Sequence, residues 1–152
     1  MKKSNEPYIL FQGKKFHKLI QDEWLLTSKD GNPISEKTIK KINGRNGRMD
    51  ILVEDLGDIV SIIEIKATNW DIMKEHNIRR NVKRHCRQIW GYVDAAIGLF
   101  NKDVCPGIIF PSLPKSCERL KTIETLFNDE GIQVVWHNES TEKTRTLLSN
   151  DN

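Results

Sequence analysis

Two carboxylates and a lysine stand where a chain rarely puts them. The runs Gly47-Arg48-Met49-Asp50-Ile51-Leu52-Val53 and Ile62-Ile63-Glu64-Ile65-Lys66-Ala67 are apolar apart from a few charges, among them Asp50, Glu64 and Lys66. Buried strands do not carry such groups unless the charges pair or bind something. Two carboxylates brought together make a hard-oxygen site suited to Mg²⁺ or Mn²⁺, and their mutual repulsion favours a cation between them. A lysine beside them can align or deprotonate a water and offset negative charge developing on a phosphate. The chemistry in view is hydrolysis of a phosphodiester. The competing reading is a salt-bridged surface hairpin in which Lys66 pairs with one acid. The apolar flanks and the alignment of Asp50 as a further acid weigh against it.

The elements that must position these groups follow from composition. Met49 to Glu54 and Ile59 to Ala67 are short and rich in Ile and Val, which favours strands. Asp55-Leu56-Gly57-Asp58 between them supplies turn chemistry, so the two runs predict a hairpin. Side chains alternate along a strand, which places Glu64 and Lys66 on the face of Ile62, and Ile63 and Ile65 on the other. Pairing then carries Asp50 toward the Glu64–Lys66 end of the next strand.

Around the hairpin, Gly13 to Leu26 spaces Phe16, Leu19, Ile20, Glu23 and Trp24 as an amphipathic helix. Thr27 to Ile42 reads as a loop with a turn at Asp30-Gly31-Asn32-Pro33 and a first strand near Thr38 to Ile42. Ile78 to Phe100 is a long helix with Ile78, Val82, Cys86, Ile89, Val93, Ile97 and Phe100 on one face. A short buried strand is expected over Pro106 to Pro111, a helix over Ser116 to Glu130 stopped by Gly131, and a last strand over Ile132 to Trp136. The fold class expected is α/β, with a central mixed sheet flanked by helices in the order αβββαβ. Residues 1–137 form one domain in this reading, and 138–152 a polar, flexible tail.

At 152 residues the chain suits one compact core. No apolar stretch approaches transmembrane length, and no signal-peptide core follows Met1-Lys2-Lys3, so a cytoplasmic protein is expected, without a membrane partner. Cys86, Cys105 and Cys117 are odd in number and lack zinc spacing, which predicts reduced thiols. The formal charge of +3 is only mildly basic. Its distribution says more: Lys37 to Arg48 and Arg79 to Arg87 are acid-free basic segments. Arg45 and Arg48 in the first, and Arg79, Arg80, Lys83, Arg84 and Arg87 in the second, are candidates for phosphate-backbone contact. Gln88 and Tyr92, four apart on the long helix, share a face distinct from the apolar stripe, along with Asn81 and Arg84 or His85. A Gln amide can orient a phosphate or a metal-bound water, and a Tyr hydroxyl can donate to a phosphate oxygen.

Asp50 followed by Glu64-Ile65-Lys66 on the next strand resembles the PD-(D/E)xK nuclease superfamily, whose fold is restriction-endonuclease-like. Met49 stands where the usual Pro precedes the first Asp, a departure that removes no ligand. Gly47-Arg48-Met49-Asp50-Ile51 is similar to the Gly-Arg-x-Asp form of RecB-like branches, and Gln88-Ile89-Trp90-Gly91-Tyr92 to their Gln-x-x-x-Tyr signature. Gly13-Lys14-Lys15-Phe16-His17 resembles the first core helix, where some RecB-like members carry a His as a further metal ligand. The likeness spans about residues 11 to 136.

The resemblance implies a Mg²⁺- or Mn²⁺-dependent nuclease, with DNA as the expected polymer and RNA open. Asp50 and Glu64 would hold the metal, with His17 and the Ile65 carbonyl as further donors. Lys66 would serve the attacking water, while Gln88 and Tyr92 position substrate. It also admits a homodimer, or a larger nuclease, helicase or defence complex. Glu23 is the rival acid on the first helix, and is expected to be a paired carboxylate. His76, His85 and His137 have no partner at ligand spacing. Two other readings stay open: a non-catalytic nucleic-acid-binding module of the same fold, and an RNA-directed, toxin-like nuclease.

Overall fold

The structure is a computed structural model that describes residues 8–27, 31–41, 43–55 and 58–138, with side chains described over 14–23, 37–41, 43–54 and 58–138. In chain order the elements are α1 (Tyr8–Thr27), β1 (Gly31–Lys40), β2 (Asn46–Asp55), β3 (Ile59–Ile65), α2 (Glu75–Phe100), β4 (Asp103–Phe110), α3 (Cys117–Asp129) and β5 (Gln133–Trp136). The strands form one sheet in the order β1-β2-β3-β4-β5. β2 runs antiparallel to both β1 and β3, and β3, β4 and β5 run parallel. This is the mixed α/β sheet expected, in the order αβββαβ, continued by α3 and β5.

Each face of the sheet buries a different core. Leu52, Val60, Ile62, Ile108 and Phe110 face α2 and α3, where Ile78, Val82, Ile89, Val93, Ile123 and Phe127 meet them. Ile51, Ile63, Ile65 and Ile109 face α1, where Ile20 and Phe16 pack. Each such side chain contributes about 1.5–3 kcal/mol on leaving water. The alternation expected along β3 holds in its apolar residues, since Val60 and Ile62 point one way and Ile63 and Ile65 the other.

Several expectations are corrected. The segment read as a loop is the ten-residue strand β1, from Gly31 to Lys40. It lies at the sheet edge, where Pro33 costs no ladder bond on its open side, and pairing with β2 overrides the turn chemistry. The long helix begins at Glu75 rather than Ile78, and α1 extends beyond both predicted ends. Ile97 and Leu19, assigned to apolar faces, are both 48 % exposed. The β2–β3 turn residues Leu56 and Gly57, the turn residue Asp30, and the tail from 139 on lie outside the described residues.

Helix ends follow local chemistry. Ser116 Oγ accepts the Arg119 N–H at the start of α3. Gly131 after its end takes φ +75°, the left-handed conformation glycine adopts freely. The segment from β3 to α2 is tied down by Arg119. Its guanidinium donates to the carbonyls of Trp70 and Met73 and to the Glu75 carboxylate, each at 2.8 Å.

Candidate active site

Asp50 sits where β2 breaks its own alternation. Met49 and Leu52 both belong to the core against α2, while Ile51 belongs to the core against α1. A three-residue step in place of two means that the side-chain alternation slips at Asp50, although the register with β1 is the same on either side, Ser35–Ile51 and Lys37–Met49. The pairing of β2 with β3 runs from Glu54–Val60 to Ile51–Ile63 and stops there. In place of the next ladder bond, the Asp50 carboxylate reaches across, and its Oδ2 accepts the Ile65 N–H at 2.8 Å. Helix α1 holds Asp50 from the other side. Gln21 Nε2 donates to the Asp50 carbonyl at 3.0 Å, and His17 Nδ1 lies 3.4 Å from Oδ1.

Glu64 is 1 % exposed. Its Oε2 lies 3.7 Å from Lys66 Nζ, and its Oε1 is buried without a hydrogen-bond partner among the described residues. Its carboxyl lies close enough to that of Asp50 for the two to influence each other's ionisation. Burial, and then the Asp50 charge, push the Glu64 carboxyl up to about 8, against the pull of Lys66. Burial raises Asp50 too, opposed by the Ile65 N–H and by His17 and Lys66. Two acids therefore compete for one proton in a dry corner. Lys66 is anchored by its backbone, whose N–H donates to the Ile109 carbonyl at 3.0 Å.

Gln88 and Tyr92 look toward this corner from α2. Gln88 Nε2 donates to the Tyr92 hydroxyl at 3.3 Å. Tyr92 is buried, and burial raises its phenol above the ordinary value; the Glu64 and Asp50 charges add to the rise, so it stays a neutral donor. The ring lies against β2. A Cβ on Gly47 would collide with Tyr92 Cε1 and stand 2.6 Å from Lys41 Cε, so only glycine fits there. Lys41 Nζ sits 4.6 Å from the centroid of the same ring. The Gly47-Arg48-Met49-Asp50 segment and the Gln88–Tyr92 pair are thus two sides of one contact.

The basic residues divide by place. Arg45 is exposed in the tight turn closing β1 and β2, where Lys41 N–H donates to the Arg45 carbonyl at 2.9 Å and Gly44 takes φ +83°. Arg48 is exposed on β2 beside Tyr92. On α2, Arg79, Arg80 and Arg84 are exposed, and Arg84 donates to Asn81 at 2.9 Å. Lys83 and Arg87 are exposed too, and line a cavity of about 370 Å³ with Cys86, Trp90 and Glu130. At about 100° per residue these five cations fall within an arc of about 140°, so they form one exposed basic face of α2.

Glu23 is the paired carboxylate expected, 3.2 Å from His137 Nε2. All three cysteines are free, Cys86 buried and the other two exposed. Gln21 escaped the sequence reading, Lys41 entered it only as a member of the Lys37–Arg48 basic segment, and His85 only as a residue without a role on the face of Gln88 and Tyr92.

Among the described residues no three His, Cys, Asp or Glu side chains are arranged as a ready metal cage. The donors still fit a hard divalent cation. Glu64 Oε1 is an orphaned buried acceptor, the acids hold a proton that a cation would displace, and Mg²⁺ keeps several waters beside one or two carboxylates. No described helix is long and apolar enough to cross a membrane.

No family model and no curated protein matches the chain. Among solved structures it is similar to a "repair endonuclease from Pyrococcus abyssi", at 21 % identity and TM-score 0.45 over 88 % of this chain and 48 % of that one. It is also similar to EndoMS in a complex with dsDNA, at 18 % identity and TM-score 0.51 over the same shares. The second likeness shows a shared fold. The chain spans about half the length of each of these structures.

Proposed function

We propose that the chain is a metal-dependent nuclease that hydrolyses phosphodiester bonds, with DNA as substrate. The observation that carries this reading is the buried carboxylate pair. Asp50, which accepts the Ile65 N–H, and Glu64 come from adjacent strands, with Lys66 3.7 Å from Glu64, and Glu64 keeps one oxygen without a partner among the described residues. A purely structural ion pair would satisfy its acids and lower their affinity for protons; here both are raised. The fold shared with EndoMS, a protein whose structure was solved with dsDNA, supports the choice of polymer.

In this reading Asp50 and Glu64 hold Mg²⁺ or Mn²⁺, with the Ile65 carbonyl and His17 as further donors. When bound, such an ion supplies positive charge at the scissile phosphate and makes water more acidic. The chain's own groups do the rest. Lys66 orients the attacking water and faces the negative charge that builds on the phosphate. Tyr92, kept protonated, donates to a phosphate oxygen, and Gln88 fixes its hydroxyl. The Ile65 N–H and Gln21 hold Asp50 in place, so the carboxylate does not reorganise during the reaction. Arg45, Arg48, Arg79, Arg80, Lys83, Arg84 and Arg87 hold the strand backbone.

The test is cleavage by the purified chain. Supercoiled plasmid, linear duplex, single-stranded DNA and RNA are incubated with Mg²⁺, Mn²⁺ or EDTA, beside Asp50→Ala and Lys66→Ala. Metal-dependent DNA cleavage, lost in both variants with duplex binding retained, is the expected result. Cleavage of RNA alone would move the substrate to RNA. Salt-sensitive binding without cleavage would leave a binding module.

A further inference from the structure

His85 is the one buried imidazole among the described residues, 5 % exposed, and its Nε2 has no hydrogen-bond partner among them. Nothing in the site described above uses it. Its position is not incidental. On α2 it continues the stripe of Gln88 and Tyr92 by one further turn. Its ring packs 6.1 Å from Phe110 and 6.4 Å from Trp70, centroid to centroid. Phe110 follows Ile109, whose carbonyl holds the Lys66 backbone. The imidazole thus lies in the aromatic floor beneath the end of β3. Lys66 is close enough that its charge, after burial itself, disfavours protonation of His85, which falls to about 4. At neutral pH the ring is uncharged, and one of its nitrogens is an acceptor.

A buried ring nitrogen without a partner is costly in either tautomer, and as an acceptor it calls for a donor in some state of the molecule. Lys66 needs such an acceptor. Its one carboxylate partner among the described residues is Glu64 Oε2, at 3.7 Å, and Glu64 is the group that a cation would engage. A lysine that loses its carboxylate inside a half-buried site must find another acceptor or swing to solvent.

We propose that His85 is a positioning residue for Lys66, its Nε2 accepting a hydrogen bond from the lysine ammonium once Glu64 is engaged elsewhere. No proton is transferred; the ammonium exchanges a carboxylate acceptor for an imidazole one and is held over the sheet end, in reach of the attacking water. The inference rests on the nuclease reading for its purpose, but not for its geometry.

The geometry is tested without catalysis. Histidine is labelled with NMR-active nitrogen, and the His85 Nε2 resonance is followed in the wild type, in Glu64→Leu and in Glu64→Leu/Lys66→Met. Leucine leaves Lys66 no acceptor at position 64. The Nε2 signal is expected to move from a free acceptor toward a hydrogen-bonded one in Glu64→Leu, and to return in the double variant. An unmoved signal in a folded Glu64→Leu overturns the proposal. The kinetic counterpart compares His85→Phe with His85→Gln, whose amide oxygen can still accept. His85→Phe is expected to lower kcat by about tenfold or more with KM for duplex unchanged, and His85→Gln to recover most of it. Equal kcat in both variants and the wild type overturns the proposal too. A wild-type chain that cleaves nothing would refute the nuclease reading, while the resonance experiment still decides the Lys66–His85 bond.

Discussion

Replacing Glu64 by Gln should stabilise the metal-free protein at alkaline pH while removing its activity. Burial and the Asp50 charge hold the Glu64 carboxyl up at about 8, from an ordinary 4.5. The sign follows from proton counting. Below 4.5 the group is protonated in both folded and unfolded chains, and its burial carries no ionisation cost. As pH rises, the unfolded chain ionises first while the folded one keeps its proton, so stability falls until about pH 8 and then levels. The full displacement corresponds to a loss on the order of 5 kcal/mol, at about 1.4 kcal/mol per pH unit. Asp50 competes for the same proton, so only part of this, roughly 2–3 kcal/mol, is expected from Glu64 alone. The substituted glutamine carries no charge, and its amide can donate to Asp50. Urea unfolding in EDTA, from about pH 5 to pH 9, should show wild-type stability falling and the Glu64→Gln curve much flatter, the two diverging by roughly 2–3 kcal/mol. Mg²⁺ added at the alkaline end should return stability to the wild type and not to the variant. Parallel curves across the whole range would refute the buried, proton-sharing pair and, with it, the reason given for a cation there.

Gly47→Ala should destabilise the protein by about 1–3 kcal/mol, because the new methyl meets the buried Tyr92 ring. Thermal unfolding checks it, and Tyr92→Ala in the same chain should remove most of the penalty. Ile62→Ala, in the fully buried face of β3, should cost about 2–5 kcal/mol by the same measurement. Arg45→Ala and Arg84→Ala should each weaken duplex binding without sequence preference. Each should reduce the slope of log affinity against log salt by about 1 in titrations at several salt concentrations.

The strongly patterned parts of the chain were legible, and the parts decided by packing were not. The Ile- and Val-rich β3 run and the apolar period of α2 announce their elements because their burial repeats at the strand or helix period. β1 did not, because Asp30-Gly31-Asn32-Pro33 carries turn chemistry that an edge strand tolerates and a central one would not. Within the site, Asp50, Glu64 and Lys66 stood out as charges in apolar runs. Gln21 could not, since a glutamine on an exposed helical face is ordinary until the fold lays it against the Asp50 carbonyl. His85 looked like one more polar residue among Arg84 and Arg87; only its burial distinguishes it. Gly47 was visible as part of a resemblance, but its reason, the Tyr92 ring, lies forty-five residues away on another element.

The slip at Asp50 explains how a pair of strands can host such a site at all. Had β2 and β3 stayed in register for one more residue, Asp50 would stand directly opposite Glu64, the next pair after Ile51–Ile63. Like charges directly opposite across an antiparallel pair repel, with Cβ atoms only about 4.5–5.5 Å apart. A continued ladder would also engage the backbone groups there and leave each carboxylate to find its own donors. The slip substitutes the Asp50 carboxylate for the ladder acceptor at the Ile65 N–H. That fixes one acid by a backbone bond and brings the other beside it with an oxygen unspent. The cost is two acids held off their ordinary ionisation. It is borne because Ile62 and Ile63 on β3, and Leu52 and Ile51 on β2, anchor both faces of the sheet immediately before the break. Disturbing that anchor should therefore loosen the acids before it unfolds the sheet, and the Ile62→Ala variant should lose cleavage at temperatures where its circular dichroism is still native.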